Sequence, residues 1–171
     1  EQVVTADADC MFFRPVETDL EYLLTSADYT QTRALGGCGL SFMKRHVLKD
    51  FCDFAEQVLR HPESEIAAPI VGAPINDMSF WLHFARNYYY QSVDSATFRY
   101  NRLYSWYWAH DHNMRCPYFG YRMKDGVKLI QWENGTPMAY SDQLKAPVVM
   151  HSLHYANLYD RLLEDARRLQ I

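Results

Sequence analysis

The spacing of apolar residues along the chain predicts a succession of short strands and amphipathic helices. Apolar positions that recur every three to four residues predict four helices, at 19–24, 43–60, 77–90 and 155–169. Short apolar runs predict strands at 2–5, 10–13, 127–132 and 147–150. Residues 94–125 follow neither period and are interpreted as an irregular, aromatic segment. This order of elements predicts an α/β or α+β fold, in a single domain that spans 1–171.

Composition narrows the class of protein. The chain has 171 residues, of which 49% are hydrophobic and 22% charged, as in a globular protein with a sizeable core. The net charge of −4 argues against a nucleic-acid partner, because such proteins carry a basic stripe. No apolar run approaches the ~20 residues of a transmembrane segment. The four cysteines are scattered and form no C-x-x-C pair, so we expect a reducing, cytoplasmic location.

A pair of carboxylates is the strongest chemical feature. Asp7 and Asp9 follow directly on the 2–5 strand, and the apolar residues 11–13 come after them. Ligands bind at the carboxyl ends of strands in α/β sheets, and two carboxylates there suit Mg²⁺ or Mn²⁺. Taken alone, the same D-x-D pattern also fits a solvated acidic turn. The apolar flanks favour the metal interpretation, because a surface turn does not need them.

Residues 3–15, which read VVTADADCMFFRP, resemble the D-x-D segment of A-type (GT-A) glycosyltransferases. Three later segments resemble family segments in the same order, at 35–42, 76–78 and 148–154. The first is a glycine-containing strand beside the donor sugar, the second an acidic position near the acceptor, and the third a late strand with a histidine. The resemblance covers nearly the whole chain and implies an α/β fold with a GT-A-like mixed sheet flanked by helices.

The resemblance implies an enzyme that transfers a sugar from a nucleotide-diphosphate donor to a glycan or another hydroxyl acceptor, with Mn²⁺ or Mg²⁺ as cofactor. It assigns the metal to Asp7, Asp9 and His151, and a catalytic role to Asp77. Residues 80–121 hold 15 of the 26 aromatic residues, and aromatic faces stack on sugars. The remaining assignments are donor contacts at Gly36, Gly37 and Asn76, and acceptor contacts at Trp81, Trp106 and Tyr107.

Two departures from the family pattern shape further expectations. The stretch 152–160 lacks the glycine and lysine that contact the diphosphate in the family. The nucleotide-binding half of the family precedes D-x-D, whereas this sequence has six residues there. We therefore expect the carboxyl-terminal portion of a longer enzyme, with the 2–5 strand in a parallel sheet that is incomplete on its amino-terminal side.

Other interpretations remain open. A non-catalytic glycan- or protein-binding module derived from the same fold is the main alternative. A haloacid-dehalogenase-like phosphatase also begins with a strand and D-x-D, but the following Cys10 and Met11, and the lack of a later G-D-x-x-x-D segment, argue against it. The run 110–112, His-Asp-His, is interpreted as a polar loop, and His154 as a weaker metal candidate than His151.

Overall fold

The computed structural model describes residues 1–6, 8, 10–31, 40–70, 77–88, 90–94, 99–102, 105–111 and 113–169. The chain divides into two compact units, here described separately. The first unit comprises Glu1–Ala6 and Glu17–Ser95, and the second comprises Asp7–Val16 and Ala96–Ile171. Within the described ranges, four α-helices accompany sheets that are largely antiparallel. The mixed α/β class is therefore confirmed, whereas the single domain stays a prediction.

The elements are numbered in chain order. The helices are α1 (Glu17–Leu24), α2 (Arg45–Arg60), α3 (Asp77–Asn87) and α4 (Tyr159–Arg168). The strands are β1 (Gln2–Ala6), β2 (Cys10–Phe12), β3 (Tyr29–Gln31), β4 (Leu40–Lys44), β5 (Ser92–Asp94), β6 (Arg99–Asn101), β7 (Trp106–His110), β8 (Met123–Lys124), β9 (Val127–Lys128), β10 (Ile130–Glu133), β11 (Thr136–Ser141) and β12 (Ala146–His154).

The first unit is built on a four-stranded sheet of order β1-β4-β3-β5. Helix α2 buries Val47, Phe54 and Val58, which recur at helical spacing and form one apolar face. The helix ends at Arg60, and Pro62 follows two residues later, where it prevents continuation. Trp81 and other aromatic residues of α3 join the same core. Burial of these side chains is the main stabilising term in this unit.

Strand β1 contradicts one expectation. It pairs antiparallel with β4, with Val3 opposite Met43, so the prediction of a parallel sheet around the 2–5 strand is wrong. Among the described strands, β1 stands at one end of the sheet order, and the parallel pair of this sheet is β3 with β5. Helix α2 follows β4 without a linking residue.

The second unit is organised around β12. This nine-residue strand pairs on one side with β11 and then β2, both antiparallel, and on the other side with β7 in parallel. Strands β10 and β6 extend the sheet at its two ends. One face of the sheet carries a core that includes Ala109, Val148, Met150 and Leu153, against which Leu158 and other partly buried residues pack.

Several predicted elements have different bounds. The predicted 127–132 strand is two strands, β9 and β10, and the predicted 147–150 strand extends over the whole of β12. The irregular interpretation of 94–125 is wrong where β6 and β7 lie, because these strands belong to the main sheet of the second unit. Helices α1 and α2 confirm the predicted helices to within two residues.

Candidate functional site

A β-bulge in β12 determines which side chains lie on the face of the second sheet opposite the core cluster. The register between β12 and β7 shifts between Met150 and Ser152. Met150 and Leu153 both belong to the core cluster, so the two residues between them lie on the opposite face. The bulge thus places His151 and Ser152 side by side. Bulges commonly occur next to functional sites because they redirect a side chain in this way.

Strand β7 contributes to the same face. Tyr107 and Ala109 contact the core cluster, so Trp108 and His110 alternate onto the opposite side. The imidazole of His151 stacks on Trp108, with ring centroids 4.4 Å apart and planes 9° apart. The rings of His110 and His151 lie 5.8 Å apart and nearly perpendicular, at 89°. Two histidines from neighbouring strands therefore meet on one surface.

The orientation of His110 is fixed by a hydrogen bond. Its Nδ1 lies 2.9 Å from Oγ of Ser152, and both residues are buried. When Nδ1 donates to the hydroxyl oxygen, Nε2 is the nitrogen that carries the lone pair. His151 is held differently, by stacking on Trp108, and is only partly buried. The guanidinium of Arg99, from β6, lies 5.3 Å from the centre of the Trp108 ring. This group of side chains, Arg99, Trp108, His110, His151 and Ser152, is here called the imidazole face.

A buried ion pair lies at the end of β12. Lys128 Nζ donates to Asp111 Oδ1 at 2.5 Å, and the two side chains are 3% and 0% exposed. The other Asp111 oxygen accepts a hydrogen bond from the backbone N–H of His154, at 3.3 Å. Lys128 also donates to the carbonyl of Asn113, at 2.5 Å. The ion pair therefore fixes the backbone at the carboxyl end of β12.

A buried tyrosine lies beside this ion pair. The ring centre of Tyr121 is 5.2 Å from Lys128 Nζ. Burial raises the pKa of its hydroxyl well above the ordinary value, and the negative charge of Asp111 adds to the effect. The phenol thus stays protonated next to the carboxylate.

The position of β2 relates the D-x-D segment to the histidines of β12. Cys10, which follows Asp9 in sequence, pairs with His154, and Phe12 pairs with Ser152. The N–H of Phe13 donates to the carbonyl of His151 at 3.0 Å. Strand β2 therefore begins opposite His154, and His151 lies three residues farther along, about 10 Å at the usual rise of a strand. The segment after D-x-D and the late histidine strand are direct neighbours, and His154 is nearer to the start of β2.

Several predicted site residues lie outside the described part of the chain. These are Asp7, Asp9, Gly36, Gly37 and Asn76. Whether the two aspartates converge at a strand end, and whether His151 approaches them, therefore stay predictions. Asp77 is the first residue of α3 and Trp106 the first of β7, but their side chains are likewise outside the description.

The remaining acceptor residues lie in cores. Trp81 is 1% exposed and contacts Tyr29, Phe51 and Phe84, so its ring is packed by protein rather than presented to a ligand. Tyr107 is partly buried and packs against the core of the second unit. Both residues thus pack against cores, and their contacts with an acceptor stay predictions.

The polar-loop interpretation of 110–112 is wrong for His110, which lies in β7, whereas Asp111 follows the strand and lies outside any helix or strand. His110 ends β7 and is 2% exposed, and Asp111 is also 2% exposed and ion-paired. Sequence analysis missed Ser152 and Lys128 entirely. Residues 106–109 are all aromatic or apolar, so no alternation in the sequence marked His110 as the end of a strand.

The structure and the sequence were compared with known proteins. Comparisons with protein-family models, with curated proteins and with solved structures gave no significant match. Among the described residues, none of the helices is both long enough and apolar enough to cross a bilayer.

Proposed function

We propose that the chain belongs to a metal-dependent glycosyltransferase that transfers a sugar from a nucleotide-diphosphate donor to a glycan or another hydroxyl acceptor. The observation that carries this proposal is the pairing of β2 with β12, with Cys10 opposite His154. It makes the strand after D-x-D a direct neighbour of the strand that carries His151 and His154. The D-x-D carboxylates directly precede β2 in the sequence, and the imidazoles belong to its partner strand β12, which supports the proposal.

The donor set fits a divalent cation. Asp7 and Asp9 offer carboxylate oxygens, and a histidine of β12 offers an imidazole nitrogen, a combination that suits Mn²⁺ and also accepts Mg²⁺. Such a cation supplies positive charge to the departing diphosphate. The proposal retains Asp77 as the group that orients a hydroxyl, Gly36, Gly37 and Asn76 as donor contacts, and a cytoplasmic location.

Titration calorimetry with UDP- and GDP-sugars tests the proposal. Binding should require Mn²⁺ and should disappear when EDTA is added. Asp9→Asn should reduce transfer by about 10²–10⁴-fold, because one of two anionic ligands is lost while the shape of the side chain is kept. Asp77→Asn should reduce transfer by less than Asp9→Asn does, since asparagine also caps a helix. Melting temperature in the absence of metal should stay level or rise in Asp9→Asn.

Asp125→Asn is a matched control. Asp125 lies in the same unit, in a turn with φ of 53°, a conformation that asparagine adopts readily. Its transfer activity should equal that of the wild type. Glycan binding that is indifferent to EDTA, without nucleotide-sugar binding, would indicate the non-catalytic module instead. Near-wild-type transfer by Asp9→Asn, or loss of its fold, would refute the proposed role of Asp9.

The two histidines of β12 can be separated by the same assay. The register places His154 opposite Cys10, whereas His151 lies three residues along β12. His151→Gln and His154→Gln should therefore differ in the Mn²⁺ concentration that gives half-maximal nucleotide-sugar binding. The larger increase identifies the imidazole that completes the carboxylate site.

A further inference from the structure

The two histidines of the imidazole face lie close enough to bind one metal ion. A nitrogen of His110 and a nitrogen of His151 lie within 4.8 Å of each other. Two Zn–N bonds at a tetrahedral centre place their nitrogens about 3.3 Å apart. His110 is fixed in the sheet, whereas His151 is partly exposed at the bulge. Metal binding would bring the two nitrogens closer together, and His151, the partly exposed partner stacked on Trp108, would be the ring that moves.

The surroundings of His110 are those of a metal ligand. A ligating histidine commonly donates its second ring nitrogen to an oxygen acceptor, which fixes the tautomer and the direction of the ring. The contact of 2.9 Å between His110 Nδ1 and Ser152 Oγ has this geometry. Both partners are buried, so water does not compete for the bond. The Nε2 lone pair is thereby directed away from Ser152.

The bulge in β12 makes this arrangement possible. In a regular strand, two consecutive residues would point to opposite faces, and either His151 or Ser152 would enter the core. The register shift between Met150 and Ser152 places both on the imidazole face. One of them can then act as a ligand while the other orients the second ligand. The bulge thus positions both the ligand His151 and the residue that orients His110.

We infer that His110 and His151 form a two-imidazole site for a divalent transition metal, with Ser152 as the residue that positions His110. Imidazole nitrogens favour Zn²⁺, Cu²⁺ and Ni²⁺, whereas Mg²⁺ and Ca²⁺ prefer oxygen ligands. The inference goes beyond the proposed function and uses neither Asp7 nor Asp9. It assigns His151 to the two-imidazole site, which leaves His154, opposite Cys10, as the imidazole of the carboxylate site. The other coordination positions belong to water or to an oxygen-donor ligand.

The test uses Zn²⁺ affinity and the spectrum of bound Cu²⁺. Pulsed electron paramagnetic resonance counts the imidazoles on Cu²⁺ and should find two in the wild-type chain. His110→Asn should leave one, because the asparagine amide replaces Nδ1 and its bond to Ser152 but supplies no Nε2. Ser152→Ala should keep two imidazoles and weaken Zn²⁺ binding by about tenfold, as loss of an orienting partner does. His110→Asn should weaken it more.

A control histidine and a second ligand variant distinguish loss of the metal site from loss of the fold. His61→Asn changes an exposed histidine of the first unit and should leave Zn²⁺ affinity unchanged. If His110→Asn fails to fold by circular dichroism, His151→Gln, at a partly exposed position, should reduce the count to one. A wild-type count below two, or a count that neither histidine variant lowers, overturns the inference. Asp9→Asn should leave the count of two imidazoles on Cu²⁺ unchanged, so failure of nucleotide-sugar binding in this variant is a separate result.

Discussion

At the scale of single residues, burial distinguishes the Lys128–Asp111 ion pair from exposed ion pairs in the described part of the chain. Lys128 and Asp111 are 3% and 0% exposed, and both charged groups have further hydrogen-bond partners in Asn113 and His154. Exposed pairs such as Arg122 with Asp142 are screened by water and contribute about 0–1 kcal/mol. The buried pair is different, because removing either member leaves the other charge without compensation.

Lys128→Met should lower the free energy of unfolding by about 3–5 kcal/mol, since it strands the Asp111 carboxylate in the core. Lys124→Met is the matched control, because Lys124 is exposed on the adjacent strand and should change stability by less than about 0.5 kcal/mol. Urea unfolding monitored by circular dichroism at pH 7 measures both. Adding Asp111→Asn to Lys128→Met should recover part of the loss. A Lys128→Met variant within 1 kcal/mol of the wild type would contradict this account.

At the scale of elements, tight turns fix the strand pairs of the second unit. Asp125 and Gly126 join β8 to β9 with φ of 53° and 76°, and Asn134 and Gly135 join β10 to β11 with φ of 49° and 74°. Positive φ at both central residues is the pattern of a type I′ turn, which matches the twist of a hairpin. Asparagine, aspartate and glycine tolerate this conformation, and the residue types at these four positions are typical of such turns.

Gly120 and Gly126 allow conformational strain to be separated from steric overlap. Both have positive φ, of 65° and 76°, so alanine at either position should cost about 1–2 kcal/mol. A Cβ at Gly126 meets nothing within 4 Å, whereas at Gly120 it would lie 3.1 Å from the backbone nitrogen of Gln143. Gly120→Ala should therefore be the more destabilising of the two in urea unfolding. If both variants lose the same free energy of unfolding, the loop around Gln143 relaxes without cost.

Local sequence signals predicted some elements well and failed for others. Helix α2 was predictable because Val47, Phe54 and Val58 recur on one face and Pro62 follows its end. Strand β7 was not, because Trp106–His110 has apolar or aromatic residues at four successive positions and only then a histidine. A strand with both faces covered loses the alternation that identifies it.

The candidate site depended on information that no short segment contains. The D-x-D motif and His151 were recognisable as residue types, but the pairing of Cys10 with His154 joins positions 144 residues apart (154 − 10). The bulge between Met150 and Ser152 shifts the alternation, so that every later residue of β12 points to the opposite face from the one it would have in a regular strand. The residue types at 150–152 do not indicate a bulge. His110, Ser152 and Lys128 were missed for this reason, since their roles arise from neighbouring strands.

At the scale of the whole molecule, the tyrosines determine how stability should change at alkaline pH. The chain has 13 tyrosines. Burial raises the pKa of Tyr29, Tyr121 and Tyr155, and a hydrogen bond to Asp50 raises the pKa of Tyr90 to about 12. These four phenols belong to both units, so the effect is not confined to one core.

The sign of the effect follows from proton binding. A tyrosine in the unfolded chain loses its proton near pH 10, whereas these four keep theirs to higher pH in the folded chain. Between those values the folded state binds more protons, and the free energy of unfolding falls as pH rises. Stability from these phenols is fully present below pH 10 and is lost as the pH passes through the folded values.

Urea unfolding at several pH values between 9 and 11.5 should therefore show a loss of up to about 1.4 kcal/mol per pH unit for each buried phenol above pH 10. Tyr155, which is buried and hydrogen-bonded to Asp165, offers the sharpest test. Tyr155→Phe should reduce the slope by about one proton, because it removes one group that titrates only after unfolding. A Tyr155→Phe chain with the wild-type slope would show that the Tyr155 phenol ionises in the folded protein as readily as in the unfolded chain.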